Sequence, residues 1–119
     1  MGKRLPNLHA WQWRTYADNH QHPANLILHI IAVPIFIVAA LSLANGLFTF
    51  SFRALVLGVI GILASLVLQA RGHKLEAVQP EPFSGRKDAI GRLLVEQFVT
   101  FPRFLLSGQW WRNWRNKKR

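Results

Sequence analysis

The sequence predicts an all-α integral membrane protein, a helical hairpin of two transmembrane helices flanked by amphipathic interfacial helices. Three observations predict it. Two long runs without a formal charge lie close together in a chain of only 119 residues. Half of the residues are apolar while the net charge is +10, from 15 Lys and Arg against 5 Asp and Glu, so apolar content and charge are segregated along the chain. The segments outside the two runs carry aromatic residues and helical periodicity. A disordered basic chain would lack the apolar half. A soluble domain would spread its apolar residues at periodic positions rather than pool them. The absence of cysteine excludes disulfides, thiolate metal sites and a cysteine nucleophile.

The elements follow in order. Residues 8–20 contain no Gly or Pro, and Trp11, Trp13 and Tyr16 suit a headgroup layer, so a short interfacial helix is expected. Leu26 to Ala44 is uncharged over 19 residues. As a helix that is about 28 Å at roughly 1.5 Å per residue, the depth of a bilayer core. A first transmembrane helix is expected over 24–45, with Asn45-Gly46 as its stop and turn signal. Ala54 to Ala70 is uncharged over 17 residues, and Leu47, Phe48, Phe50 and Phe52 extend it past a snorkelling Arg53. This gives a second helix and extension over 52–76. Ala54 with Gly58, and Gly61 with Ser65, form small pairs at four-residue spacing, which suit close helix packing or self-association into a homo-oligomer. A signal peptide fits poorly, because 25 residues precede the first run and a second run follows.

Pro80 to Gly85 reads as a stiff connector, with Ser84 as a candidate N-cap. Beyond it, Ile90, Leu93, Leu94, Phe98, Phe101 and Leu105 recur at helical spacing, with Asp88, Arg92, Glu96 and Arg103 opposite. An amphipathic helix over 86–107 is expected to lie on the membrane and cover the end of the hairpin, kinked or ended by Pro102. Residues 108–119 read as a basic, Trp-rich tail with Trp110, Trp111 and Trp114, suited to anionic lipid rather than to nucleic acid. Three basic residues, Lys3, Arg4 and Arg14, precede the first run, Arg53 alone lies between the runs, and eleven follow. The positive-inside rule then places both termini in the cytoplasm, of a bacterial inner membrane or an endoplasmic reticulum membrane.

The chemical signal is polar residues where lipid would exclude them. A histidine inside an apolar span is expensive and usually functional. His29 lies about one turn into the first run, with Asn25 four residues earlier and His22 and His20 just before. On the second helix, Gln69, His73 and Glu76 stand at i, i+4 and i+7. An antiparallel hairpin brings these two groups together. Neutral imidazoles with a carboxylate form a ligand set for zinc or non-haem iron, and two His with one carboxylate suit Fe(II) and O₂. The plain alternative is a histidine network that only bonds across helices.

The order Tyr16-x3-His20, Pro23, Asn25-x3-His29, Pro34, then Gln69-x2-Gly72-His73-x2-Glu76 and Pro80, resembles a family of small membrane proteins that includes a fungal 2-hydroxy fatty acid dioxygenase of phytosphingosine breakdown. The resemblance covers residues 16 to 83. It implies a membrane enzyme that uses non-haem Fe(II) and O₂ to shorten a long-chain 2-hydroxy fatty acid by one carbon. It implies His20, His29 and His73 as metal ligands. Glu76 matches at a spacing one residue shorter, and Gln21 stands where the fungal enzyme has a second adjacent histidine, with His22 beside it as a further candidate ligand. Tyr16, Asn25, Gln69, Arg71 and Lys74 are the expected supporting or substrate-facing residues. The competing expectations are a non-enzymatic two-span anchor that binds lipid or a partner, and a haem protein ligated by His29 and His73. Two spans form no transport pathway without oligomerisation.

Overall fold

The computed structural model describes residues 7–116, and every regular element among them is helical. Lys3, Arg4 and Lys117 to Arg119, which contribute to the expected topology signal, lie outside the described residues. The chain runs through α1 (Leu8–Tyr16), a 3₁₀ turn (Ala17–Asn19), α2 (Pro23–Thr49), α3 (Phe52–Lys74), α4 (Arg86–Val95), a π-helical turn (Glu96–Thr100), α5 (Phe101–Leu106) and α6 (Gln109–Arg115). α2 and α3 form the hairpin, and both are long and apolar enough to cross a membrane.

Local chemistry sets the ends of the hairpin helices. Pro23 occupies the first turn of α2, where its missing N–H costs nothing. His22 is the N-cap, its Nδ1 accepting the Ala24 N–H at 3.0 Å. Ser51 caps α3 by accepting the Ala54 N–H at 3.2 Å. The expected turn at Asn45-Gly46 is corrected, because α2 runs through it to Thr49 and reverses at Phe50, in the left-handed region at φ 54. Gly46 serves packing instead: a Cβ there would meet the Leu55 backbone nitrogen at 2.8 Å. α2 is therefore about 40 Å long, more than the depth of a bilayer core.

The small residues of α3 are spent inside the hairpin. A Cβ on Gly58 would meet the Ala39 carbonyl oxygen at 2.8 Å, and one on Gly61 would meet the Ala39 Cβ at 2.6 Å. Ser65 Oγ donates to the Ala32 carbonyl at 2.6 Å, and Ser42 Oγ to the Ala54 carbonyl at 3.0 Å. Ala39, Gly58 and Ser65 are thereby buried between the helices. At the other end Gly72 faces Asn25, and a methyl group there would collide with the Asn25 side chain and backbone. Gly72→Ala is expected to destabilise the protein by about 1–3 kcal/mol, the usual cost of overpacking. A lower thermal midpoint in detergent, with unchanged helix content at low temperature, would show it.

The α4–α5 rod covers the histidine end of the hairpin, and its two parts face differently: α5 follows the expected pattern, burying Phe101 and Phe104 and exposing Arg103, whereas α4 and the π-turn place polar residues inward. Ile90, Leu94 and Phe98 are 59, 46 and 44% exposed, whereas Arg92 and Gln97 are 7 and 0% exposed. Gln97 and Gln69 exchange two amide hydrogen bonds, 2.9 and 3.0 Å, which fasten the π-turn to α3. Gln12 of α1 donates to the Arg92 carbonyl at 3.1 Å and accepts from the Thr100 hydroxyl. Buried polar groups need partners, and here each partner lies on a different helix, so the polar face docks inward. The outward Ile90, Leu94 and Phe98 extend the apolar exterior of the hairpin, where Leu57, Ile60, Leu63 and Val67 are also exposed. Pro102 neither ends nor breaks the rod. The turn before it widens, the Phe101 N–H reaching back five residues to the Glu96 carbonyl, one way to pass a residue that lacks an N–H.

The C-terminal segment is likewise more than a tail. Gly108, at φ 84, ends the rod and lets the chain turn into α6. Trp110 is buried, its indole N–H donating to the Leu26 carbonyl at 3.2 Å, and Trp114 stacks on it at 5.5 Å. Asn113 Nδ2 donates to the carbonyls of Ala17 (3.0 Å) and His20 (2.8 Å), which fixes the segment that carries His20.

Candidate metal centre

Four elements bring four side chains to one point. His20 follows the 3₁₀ turn, His29 lies in α2, His73 lies near the end of α3, and Glu96 opens the π-turn. One ligand atom from each lies within 4.8 Å of the others. The three imidazoles stand nearly perpendicular to one another, at 90° (His20–His29), 78° (His20–His73) and 82° (His29–His73), with ring centres 4.7 to 4.9 Å apart.

The backbone selects the tautomer of two of the rings. His20 Nδ1 lies 2.7 Å from the Tyr16 carbonyl, and His29 Nδ1 lies 3.2 Å from the Asn25 carbonyl. A carbonyl only accepts, so both rings carry the proton on Nδ1 and turn the Nε2 lone pair inward. Both Nε2 atoms, and His73 Nδ1, are buried without a hydrogen-bond partner. The nearest charge is Glu96 Oε2, 3.5 Å from His20 Nε2 and 3.3 Å from His29 Nε2. Lone pairs on nitrogen thus face a carboxylate oxygen across a gap longer than a good hydrogen bond. A shared cation between them would resolve that opposition.

Burial pushes the His20 imidazole down from its ordinary value, against the pull of the Glu96 carboxylate beside it, so the ring is neutral and ligand-ready at neutral pH. For Glu96, burial alone would push the carboxyl up; the neighbouring His20 and His29 rings outweigh it and hold the group well below the usual carboxylate range. Both folded values lie below their unfolded ones, so both groups contribute stability that is complete above the unfolded values and lost as pH falls through the folded ones. The metal-free protein is therefore expected to lose stability progressively below about pH 6.5, the ordinary histidine value. Thermal midpoints after chelator treatment, taken across pH 4 to 8, measure this.

Tyr16 sets the carboxylate. Its hydroxyl donates to Glu96 Oε2 at 2.7 Å, and its ring stacks on His20 at 3.9 Å. Burial first, and then the Glu96 charge, hold the phenol well above its ordinary value, so it remains a donor. Tyr16→Phe is expected to weaken metal binding by about 10–100-fold, the usual cost of losing a group that orients a ligand. Metal competition against a chromophoric chelator measures it, with the helical spectrum unchanged.

The expected constellation is met in part. His20, His29 and His73 converge, with Tyr16 beside them. Glu76 does not join them. α3 ends at Lys74, so the helical stripe through Gln69 and His73 breaks before it reaches Glu76. Its carboxylate instead accepts the N–H of Gln21 (2.9 Å), the N–H of His22 (2.9 Å) and Asn25 Nδ2 (2.7 Å). His22 caps α2, Asn25 bridges Glu76 and the Asn19 carbonyl, and Gln69 bonds Gln97 and Ser65, so all three hold the frame rather than the centre. Arg71 lies on the exposed face of α3.

Glu96, Arg92, Gln97 and Thr100 were not among the expected site residues. Their signal is a polar stripe at i, i+4, i+5 and i+8 inside an otherwise apolar helix, which beside membrane spans marks an inward face. A cavity of about 410 Å³ opens beside the centre, lined by His20, His73 and Glu96 and, among others, by Trp11, Lys74 and Arg92. Comparison with protein-family models, curated proteins and solved structures returns no match.

Proposed function

We propose that this protein is a membrane-bound, non-haem Fe(II) enzyme that uses O₂ to shorten a long-chain 2-hydroxy fatty acid or related lipid by one carbon, with its termini on the cytoplasmic side. One observation carries the reading: the buried His20 and His29, their lone pairs fixed inward by backbone carbonyls, and the half-buried His73 surround a carboxylate to which none of the three rings donates. His20, His29, His73 and Glu96 would hold the ion. Bound Fe(II) with free coordination positions supplies O₂ activation, and the adjoining cavity leaves room for substrate on one side of the ligand set. The resemblance of the Tyr16–His29 and Gln69–Glu76 blocks to the fungal dioxygenase family supports the substrate class, and the apolar hairpin supports a substrate dissolved in lipid.

The chain's own residues have defined parts in this chemistry. Tyr16 and the two carbonyls orient the ligands before any substrate arrives, which lowers the reorganisation needed during reaction. The Gln69–Gln97 pair closes the centre on the side of the hairpin core. Lys74 and Arg92 offer positive charge along the cavity wall to a substrate carboxylate. In the net reaction the C1–C2 bond breaks, C1 leaves as carbon dioxide, C2 becomes the new carboxyl carbon, and O₂ takes up four electrons and ends in the new acid and in water.

The test is anaerobic loading with Fe(II), addition of 2-hydroxyhexadecanoate and O₂, and mass spectrometry. A product one carbon shorter, absent without O₂, is expected. No shortened product across several chain lengths would overturn the activity. Elemental analysis that finds zinc and no capacity for iron would overturn the oxygen chemistry.

A further inference from the structure

The cavity beside the centre has a mouth, and its rim is graded. Leu66 and Ala70 line it from the apolar length of α3, and Lys74, one turn further, lines it from the end of that helix. Across the gap stand Gln79, Pro80, Glu81 and Phe83 of the connector, and behind them lie Trp11 and Arg92. Of the rim residues, Ala70, Lys74, Gln79, Glu81 and Phe83 are exposed. Lys74 is an ammonium at the level where α3 leaves its apolar stretch, and Ala70 is the small residue one turn deeper, in line with the lipid-facing Val67 and Leu63. The polarity along this edge of α3 therefore repeats that of a leaflet: charge above, hydrocarbon below. Arg92 is fixed at the inner end by aromatic faces, Trp11 at 5.0 Å and Phe83 at 4.5 Å, and by Asp88 at 3.6 Å.

We propose that a single-chain anionic amphiphile reaches the centre sideways from the leaflet, through the mouth between α3 and the Gln79–Phe83 connector. Lys74 meets its acid group, and Ala70 sets the width available to its chain. This rests on the proposed function for the role of the metal, but the passage itself requires only the cavity. Substrate delivered this way avoids transfer of its chain into water, at about 0.8 kcal/mol per CH₂. It also explains why the inward-facing helix carries the polar residues: the acid end arrives among them while the chain stays along α3.

The probe is hexadecanoate bromined at carbon 2, whose bromine quenches tryptophan fluorescence on contact. The full chain is placed in nanodiscs and titrated beside Trp11→Phe, and the difference between the two isolates the signal of Trp11 in the cavity. The expected result is saturable quenching of the Trp11 share, lost in Ala70→Phe. In Lys74→Glu the half-saturating concentration is expected to rise about tenfold or more, the worth of one charged hydrogen bond. Both substitutions lie on the exposed side of α3, and unchanged metal content of the two variants reports that the centre remains assembled. Quenching that never saturates, or that is identical in the parent, Ala70→Phe and Lys74→Glu, would overturn the passage. If saturable, Ala70-dependent quenching occurs in protein that takes up no metal, the passage stands and the proposed oxygen chemistry falls. If metal is bound and Trp11 is not quenched, the reverse holds.

Discussion

His29→Ala is expected to cost the protein its metal while leaving the hairpin intact. The ring contributes an Nε2 that has no other partner, and its Nδ1–H bonds only to the Asn25 carbonyl of its own helix. Removing it deletes one of four donors and leaves a small, fully buried gap. Metal affinity should fall by more than about 100-fold, beyond the 10–100-fold typical of groups that merely orient a ligand. His20→Ala and His73→Ala should match it, because the three rings surround one point. Elemental analysis after anaerobic Fe(II) loading reads the effect, and circular dichroism checks the fold. Metal retained at full content in all three variants would show that the rings form a structural cluster.

The second large effect is a contrast between two glutamates. Glu96→Gln keeps size and shape but removes the charge, and its amide N–H can donate to the imidazole lone pairs that converge there, so metal binding should be lost with modest change in stability. Glu76→Ala should do the opposite. Its carboxylate is the acceptor for two backbone N–H groups and the Asn25 amide. Leaving those donors buried and unpaired should destabilise the protein by about 2–4 kcal/mol. Measured together, thermal midpoint and metal content should separate: low metal with near-normal stability for the first, low stability for the second. Equal loss of metal in both would show that the Glu76 network positions the centre as strongly as a ligand does.

These contrasts show how far the sequence could be read. The hairpin was legible because lipid imposes a simple rule, a long uncharged stretch, and both helices obey it. The convergence of His20, His29 and His73 was legible because an antiparallel pair fixes which ends are neighbours. Glu76 was misplaced because a helical stripe was extended past a helix end, and a side chain two residues beyond Lys74 points where the turn sends it. The rod of α4 and α5 was placed correctly, but its α4 and π-turn part was faced wrongly, while Phe101 inside and Arg103 outside follow the pattern. Amphipathic patterning reveals two faces but not which one is inside; that depends on whether the outer solvent is water or lipid, and on the hydrogen-bond partners that Gln12, Tyr16 and Gln69 supply from other helices. Trp110, assigned to a surface tail, is a core residue because its indole N–H finds the Leu26 carbonyl.

The widened turn at Glu96 has a meaning for how such a chain could gain or lose chemistry. A helix of this kind differs from a regular one by a single residue. Shortening the chain by one position there would restore the common winding and swing the carboxylate roughly 100° around the axis, one step of a 3.6-residue turn. The same step would also turn Gln97 or Arg92 away from its partners on α3 and α1, so the winding of this one turn ties the carboxylate to the helix packing. The meeting of the four side chains therefore hangs on a single extra residue in the winding of this helix.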